Sequence, residues 1–417
     1  MNKKRRVVIT ALGIVSSVGI GKEKFWQATL EGKSGIDLIK DFDTTKFSSK
    51  IASQIKDFNP EDYMVRDVSR RADRFVHLGL ASAKLAVDDS GIDLEKEDKH
   101  RIGVVFGSGL GGILFHEEQI LRGYEKGAHR LNPLCVPRIT PNAVSSQIAI
   151  YFNLSGPNMV ISNACASSSN AIGESFRKIQ NQEADLIFTG GAEAPLTEFT
   201  FGAYDALKVL SRRNVEPYQA SCPFDKTRDG FVLAEGAATL IVEDLEHALN
   251  RGAHIYAEII GYNSNSGAYH MVIPQPEGKD IGKVMADVLK EADLEAKEIN
   301  YINAHGTSTV LNDKVETKAI KDVFGEYAYK IPVSSTKSML GHSIGATGAI
   351  EAAVCSLAIE NQIVPQTLNY KNPDPECDLD YVPGEARQAK LNFVLSNSFG
   401  FGSNNVCLLF KKYNGNE

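Results

Sequence analysis

No two cysteines stand in a C-x-x-C pair, so the six scattered along the chain (Cys135, Cys165, Cys222, Cys355, Cys377 and Cys407) imply neither a zinc site nor a disulfide framework. A reducing cytoplasm is the compartment such usage fits. Long apolar runs are missing too, and with them any helix able to cross a bilayer. The opening MNKKRRVVITALGIVSSVGIG imitates a signal peptide through its basic start, but Gly13, Ser16, Ser17, Gly19 and Gly21 interrupt the apolar part. It reads instead as a first strand ending in a glycine turn. Positive charge is not in excess: a net charge of −7 excludes a protein coated for nucleic acid and leaves room only for a local basic patch. Neither a nucleic acid nor a membrane is expected as a partner.

What is there is a globular chain of 417 residues, 43% hydrophobic and 23% charged, large enough for one big or two fused domains. Short β-rich runs alternate with helical patterns: RVVIT, then FVHLGLASAKLAVDDSG closed by glycine, then RIGVVFGSG, then a helix from Ile113. That alternation predicts an α/β fold with sheets buried between helices. The chain also repeats itself. NMVISNACASSSNAIGESFRKIQ and IPVSSTKSMLGHSIGATGAIEAAVCSLAI are each a strand, a corner of small residues and a long helix; DLIFTGGAEA and NFVLSNSFGFGS are each a strand running into a glycine turn. Two related halves, residues 1–255 and 256–417, are expected.

Two glycine motifs invite a nucleotide and fail. GSGLGG (Gly107 to Gly112) satisfies G-x-G-x-x-G, but no second strand with an acidic residue follows at the required distance. Its glycines are expected to serve close backbone packing. STKSMLGHSIGATG has the Lys-Ser pair of a phosphate loop without the glycine before Lys337.

Cys165, in VISNACASSSNA, has small and polar neighbours rather than the bulky ones of a core thiol. It stands at a strand-to-helix corner, where the N-terminus of a helix over Ser167 to Gln180 favours thiolate and can hold an oxyanion. An inert thiol at a tight turn is the competing reading. Of nine histidines, His77, His100, His116, His129, His247 and His254 sit among charges or on amphipathic helices. His305 in INAHGTST and His342 in SMLGHSIG stand at element ends, where a ring reaches a cavity, with His270 a weaker third. Glu351 interrupts the apolar helix GAIEAAVCSLAI, and Lys337 just before the corner is a partner that would let it be buried.

NACASS, NAHGTST, SSTKSMLGH and NSFGFGS occur in this order and spacing in one group. The sequence resembles the β-ketoacyl-acyl-carrier-protein synthases, most closely the synthase II type, almost end to end. The resemblance implies a duplicated thiolase fold, two similar halves in a layered α-β-α-β-α core. It also implies a decarboxylating Claisen condensation in fatty-acid elongation, with no cofactor and no metal. On that resemblance Cys165 is the nucleophile, His305 and His342 the pair beside it, and Lys337 and Glu351 their support. Phe401 is the gate, its N–H forming an oxyanion hole with that of Cys165. Thr307 and Thr309 match pantetheine-binding hydroxyls; Leu110, Tyr204 and Ile344 match the acyl pocket. Arg70, Arg71, Arg130 and Lys208 match basic positions that dock an acidic acyl-carrier protein, with Arg74, Arg212 and Arg213 nearby and Asp67 where a lysine is common. A homodimer is implied.

The chain departs from that pattern in places: Ser403 follows GFG where the family commonly has glycine, NACASSS replaces the usual corner, and Phe199, Phe201 and Tyr204 stand to reshape the acyl pocket. The other readings kept open are a ketosynthase of a type II polyketide or polyene pathway, a non-catalytic subunit like a chain-length factor, and a cysteine hydrolase. Cys165 with both histidines argues against the second. The paired histidines with Lys337 argue against the third, which needs one histidine and an orienting Asn or Asp.

Overall fold

The computed structural model describes residues 4–415. Ten strands carry its main sheet: β1 (Val7–Ser16), β2 (Ile102–Gly107), β3 (Asn158–Ile161), β4 (Leu186–Glu193), β5 (Gly236–Asp244), β6 (Ala257–Ser266), β7 (Tyr301–Asn303), β8 (Val333–Ser334), β9 (Phe393–Gly400) and β10 (Asn404–Lys411). Their order is β8-β7-β9-β10-β6-β1-β5-β4-β2-β3, with the short Gly19–Ile20 strand beside β1. Read outward from the β1/β6 junction, each side runs antiparallel, antiparallel, parallel, parallel. The repeat seen in the sequence is thus a repeat of topology, and the two sides join where Val7–Ile9 pairs with Ala257–Ile259.

Five helices matter most: α1 (Arg74–Ser90), α2 (Ser167–Gln180), α3 (Lys279–Glu291), α4 (Val310–Phe324) and α5 (Thr347–Asn361). Every residue of α5 from Thr347 to Ile359 is buried, as expected of a helix that is apolar all round. It packs against α2, and both touch strands of either half, so they form the central layer. On one outer face α1 and the Ala143–Phe152 helix cover β1, β5 and β2; on the other α3, backed by α4, covers β6 and β10. The result is the expected α-β-α-β-α layering.

Local expectations met tertiary packing in informative ways. The α1 helix stops at Gly91 with φ +61°, as its pattern predicts, and starts at Asp73, whose side chain caps the Phe75 N–H. The first strand, however, runs straight through Gly13 to Ser16. A Cβ at Gly13 would lie 1.9 Å from the Ser82 carbonyl oxygen, so this glycine admits α1 against the sheet instead of making a turn. The GSGLGG glycines likewise serve packing: a Cβ on Gly107 would meet the Ser168 nitrogen at 2.3 Å. Beyond the Ile113–Lys126 helix, where the nucleotide motif would need a second strand, the chain forms a 3₁₀ turn (Ala128–Arg130) and a one-turn helix (Cys135–Ile139). Among the described residues no helix is long and apolar enough to cross a membrane.

Candidate active site

Each half ends a strand region in the same corner. In the first, Ala164–Ala166 forms a 3₁₀ turn before α2; in the second, Ile344–Ala346 does so before α5. The opening residues of both turns adopt left-handed backbone, Ala164 at φ +47° and Ile344 at φ +42°. Ser167 clamps the first corner, accepting from the Asn163 N–H at 2.9 Å and donating to the Ala164 carbonyl at 2.6 Å. Cys165 thereby faces the second corner, where its counterpart is Gly345.

Cys165 is 5% exposed, and its sulfur lies 3.0 Å from His342 Nε2. The His305 ring stands 5.5 Å from that of His342, nearly perpendicular at 85°. Backbone N–H groups of Phe401 and of Cys165 itself both point at the sulfur. The Lys337 ammonium and the Glu351 carboxylate form an ion pair fully inside the protein, so Glu351 does not face solvent. A cavity of about 280 Å³ opens at this point, lined by Cys165, His305, His342, Thr307, Thr309 and Phe401, with Ile344 and Lys208 on its wall. Thr307 and Thr309 hydroxyls are 2.9 Å apart.

Electrostatics correct one expectation. Burial pushes the Cys165 thiol up to about 11, against the pull of Lys337 and the two N–H groups, so the helix corner does not leave a free thiolate at rest. Burial first, then the Lys337 charge, holds both histidines well below their ordinary range, so they are neutral imidazoles. The sulfur and a nitrogen of each ring lie within 4.8 Å of one another, a spacing that a metal ion could use. The lysine cation beside them opposes one.

The remaining residues divide. Tyr204 packs with Phe201, Phe231 and Ile344 in the apolar cluster that includes Cys165. Leu110 is half-buried, does not line the cavity and donates its N–H to Glu193 at 3.1 Å. Phe199 is 63% exposed and does not line this cavity. Arg70, Arg71, Arg130 and Lys208 are exposed and make no ion pair among the described residues. Arg74 differs, held on both Glu235 oxygens at 2.6 and 2.7 Å. His270 has its Nδ1 bonded by the N–H groups of Val272 and Ile273 in its own loop. Ser403 takes left-handed backbone at φ +60° and donates its hydroxyl to the His270 carbonyl at 3.0 Å. The serine thus takes backbone that glycine adopts freely and ties the loop after Phe401 to the one that carries His270.

Sequence reasoning missed two buried carboxylates. Glu316 accepts the N–H groups of His305 and Gly306, both at 2.8 Å, and so sets the loop that carries His305. Glu193 does the same for Gly109, Leu110 and Gly345. Glu316 had a signal: it shares a helical face with Val315, Ala319 and Ile320, an odd place for a charge. Glu193, at a strand end, had none.

A duplicated sheet around two central helices, with a thiol and two neutral imidazoles at the corner, is the arrangement of the thiolase-like class. Family models for the N-terminal and C-terminal domains of β-ketoacyl synthase match residues 4–248 and 256–371. The chain belongs to the β-ketoacyl synthase family. It is 44% identical to 3-oxoacyl-[acyl-carrier-protein] synthase 2 of Synechocystis sp., covering 99% of both chains. The Coxiella burnetii protein of that name is also 44% identical, over 98% of this chain and 99% of the other. Among solved structures, the ishigamide ketosynthase/chain length factor superposes with a TM-score of 0.92 at 33% identity, covering 99% of this chain and 100% of the other. A type II polyketide ketosynthase, solved with its acyl-carrier protein and bound to the hexaketide, does so with a TM-score of 0.90 at 34% identity and the same coverage.

Proposed function

We propose that the protein elongates acyl chains in fatty-acid synthesis by condensing an acyl group held on Cys165 with malonyl-acyl-carrier protein. The observation that carries this reading is the contact of Cys165 Sγ with His342 Nε2 beside a second neutral histidine. In the first half-reaction the sulfur attacks the carrier thioester, the carrier's carbon–sulfur bond breaks, and the thiol proton ends on the departing carrier thiol. The N–H groups of Cys165 and Phe401 bind the oxygen that turns negative. In the second, the bond to the malonyl carboxylate breaks, carbon dioxide leaves, and its electron pair makes an enolate that attacks the acyl carbonyl and expels the Cys165 sulfur. His305 and His342 bond the enolate oxygen; as neutral donors they are too weakly acidic to quench the carbanion.

No metal or cofactor enters these steps. Thr307 and Thr309 take the pantetheine arm, and the unpaired cations Arg70, Arg71, Arg130 and Lys208 meet an acidic carrier protein. The protein works as a homodimer. A polyketide or polyene pathway is the second reading, favoured by the likeness to the type II polyketide ketosynthase structure.

The test is intact mass after mixing with acyl-carrier proteins of several chain lengths, then malonyl-carrier protein. We expect an adduct on Cys165 that disappears as a β-ketoacyl product forms, and none in Cys165→Ala. Loading of that variant would sink the assignment; the chain length loaded best separates the two pathways.

A further inference from the structure

His342 is the one histidine of the pair with a partner on both ring nitrogens. Nε2 faces the Cys165 sulfur, and Nδ1 lies 2.9 Å from the Thr347 hydroxyl. His305 has no such support; its Nδ1 is buried without a partner. Thr347 is the first residue of α5 and 3% exposed, and its hydroxyl has one other neighbour, the Ser343 hydroxyl at 3.2 Å.

A hydroxyl has one hydrogen to give, so the direction of this short chain can be counted out. If Ser343 donates to Thr347 and Thr347 donates to Nδ1, both hydroxyl hydrogens have an acceptor and the ring proton must sit on Nε2, the Cys165 thiol turning its own weakly donating hydrogen away from the ring. In the reverse order Nδ1–H donates to Thr347 and Thr347 to Ser343, which strands the Ser343 hydrogen in a residue only 5% exposed. We propose that Thr347, backed by Ser343, is a positioning residue that holds His342 in the tautomer with its proton on Nε2. That proton faces the sulfur during loading and the enolate oxygen during condensation. The opposite tautomer would aim a lone pair at a forming negative charge. The functional meaning rests on the ketosynthase reading above.

The experiment labels the histidines with ¹⁵N in the full-length protein, assigns His342 by the signals lost in His342→Ala, and compares wild type with Thr347→Val and Thr347→Ser. The expected wild-type spectrum has a protonated Nε2 and a hydrogen-bonded lone pair at Nδ1. In Thr347→Val the Nδ1 signal moves to its unbonded position, and kcat for condensation falls by about tenfold with KM for the carrier held, the loss of one oriented donor. Thr347→Ser, which keeps the hydroxyl, recovers both. A wild-type ring protonated on Nδ1, or a valine variant with neither change, overturns the inference. A wild-type protein that accepts no acyl group instead sinks the ketosynthase reading, and the ring signals still report the tautomer.

Discussion

The chemistry of single residues here is set by burial more than by sequence neighbours. Cys165 was expected as a thiolate because a helix begins beside it, yet desolvation outweighs the lysine and the two N–H groups at the sulfur. Glu316 shows the same force in a form that can be measured. Burial pushes its carboxyl from 4.5 up to about 7, against the three N–H donors that hold it. The folded protein therefore keeps a proton that the unfolded chain has already lost. Stability from this group is complete below about 4.5 and disappears as pH rises through about 7. Glutamine cannot titrate, so the unfolding free energy of wild type minus that of Glu316→Gln should fall between about pH 5 and about pH 8 in urea titrations. A constant difference would show that Glu316 does not titrate in this range. The sequence revealed the candidate thiol, both histidines and the Lys337/Glu351 pair, because each stands in a motif with an unusual neighbour. Glu316 and Thr347 act through backbone or through another side chain, and such roles exist only once the fold brings distant segments together.

At the scale of elements, the corner that carries Cys165 depends on how closely β2 approaches α2. Side chains on a strand normally hold a packed helix away from its backbone; here Gly107 has none, and a Cβ built on it would run into the first turn of α2. The glycine motif was legible in the sequence and its nucleotide meaning could be rejected, but only the structure shows what the space is for. Gly107→Ala would place a methyl 2.3 Å from the Ser168 nitrogen, three residues from the sulfur. Backbone cannot step aside as a flexible side chain can. We expect about 1–3 kcal/mol of destabilisation by chemical denaturation, together with slower acyl loading because the corner shifts. Unchanged stability would mean that β2 and α2 have slack that the packing does not show. The C-terminal end of α1 was easy to read, since Gly91 closes it by local chemistry. The extent of β1 was misread because Gly13 acts on a helix seventy residues away in the chain, a relation that no local pattern encodes.

At the scale of the molecule, the sheet has an unfinished end. Strand β3 pairs with β2 on one side only, and its outer edge is free in the single chain. The Val104 N–H donates to the Pro157 carbonyl and the Ser108 N–H to the Ile161 carbonyl, so the odd-numbered residues of β3 turn their backbone groups inward. By the alternation of a strand, the N–H of Val160 points outward. Met159, Val160 and Ile161 are half-buried, and exposed apolar side chains, Leu134, Val136 and Ile150 among them, lie in the segments leading to the edge. Such an edge invites pairing with another copy of itself. Replacing Val160 by proline removes an outward donor without breaking a bond to β2, and proline is tolerated on an edge strand. The wild-type protein should sediment as a dimer at micromolar concentration, and Val160→Pro as a folded monomer with the same far-ultraviolet circular dichroism. A variant that stays dimeric would move the interface to another face, and a monomeric wild type would remove the dimer from the proposed function altogether.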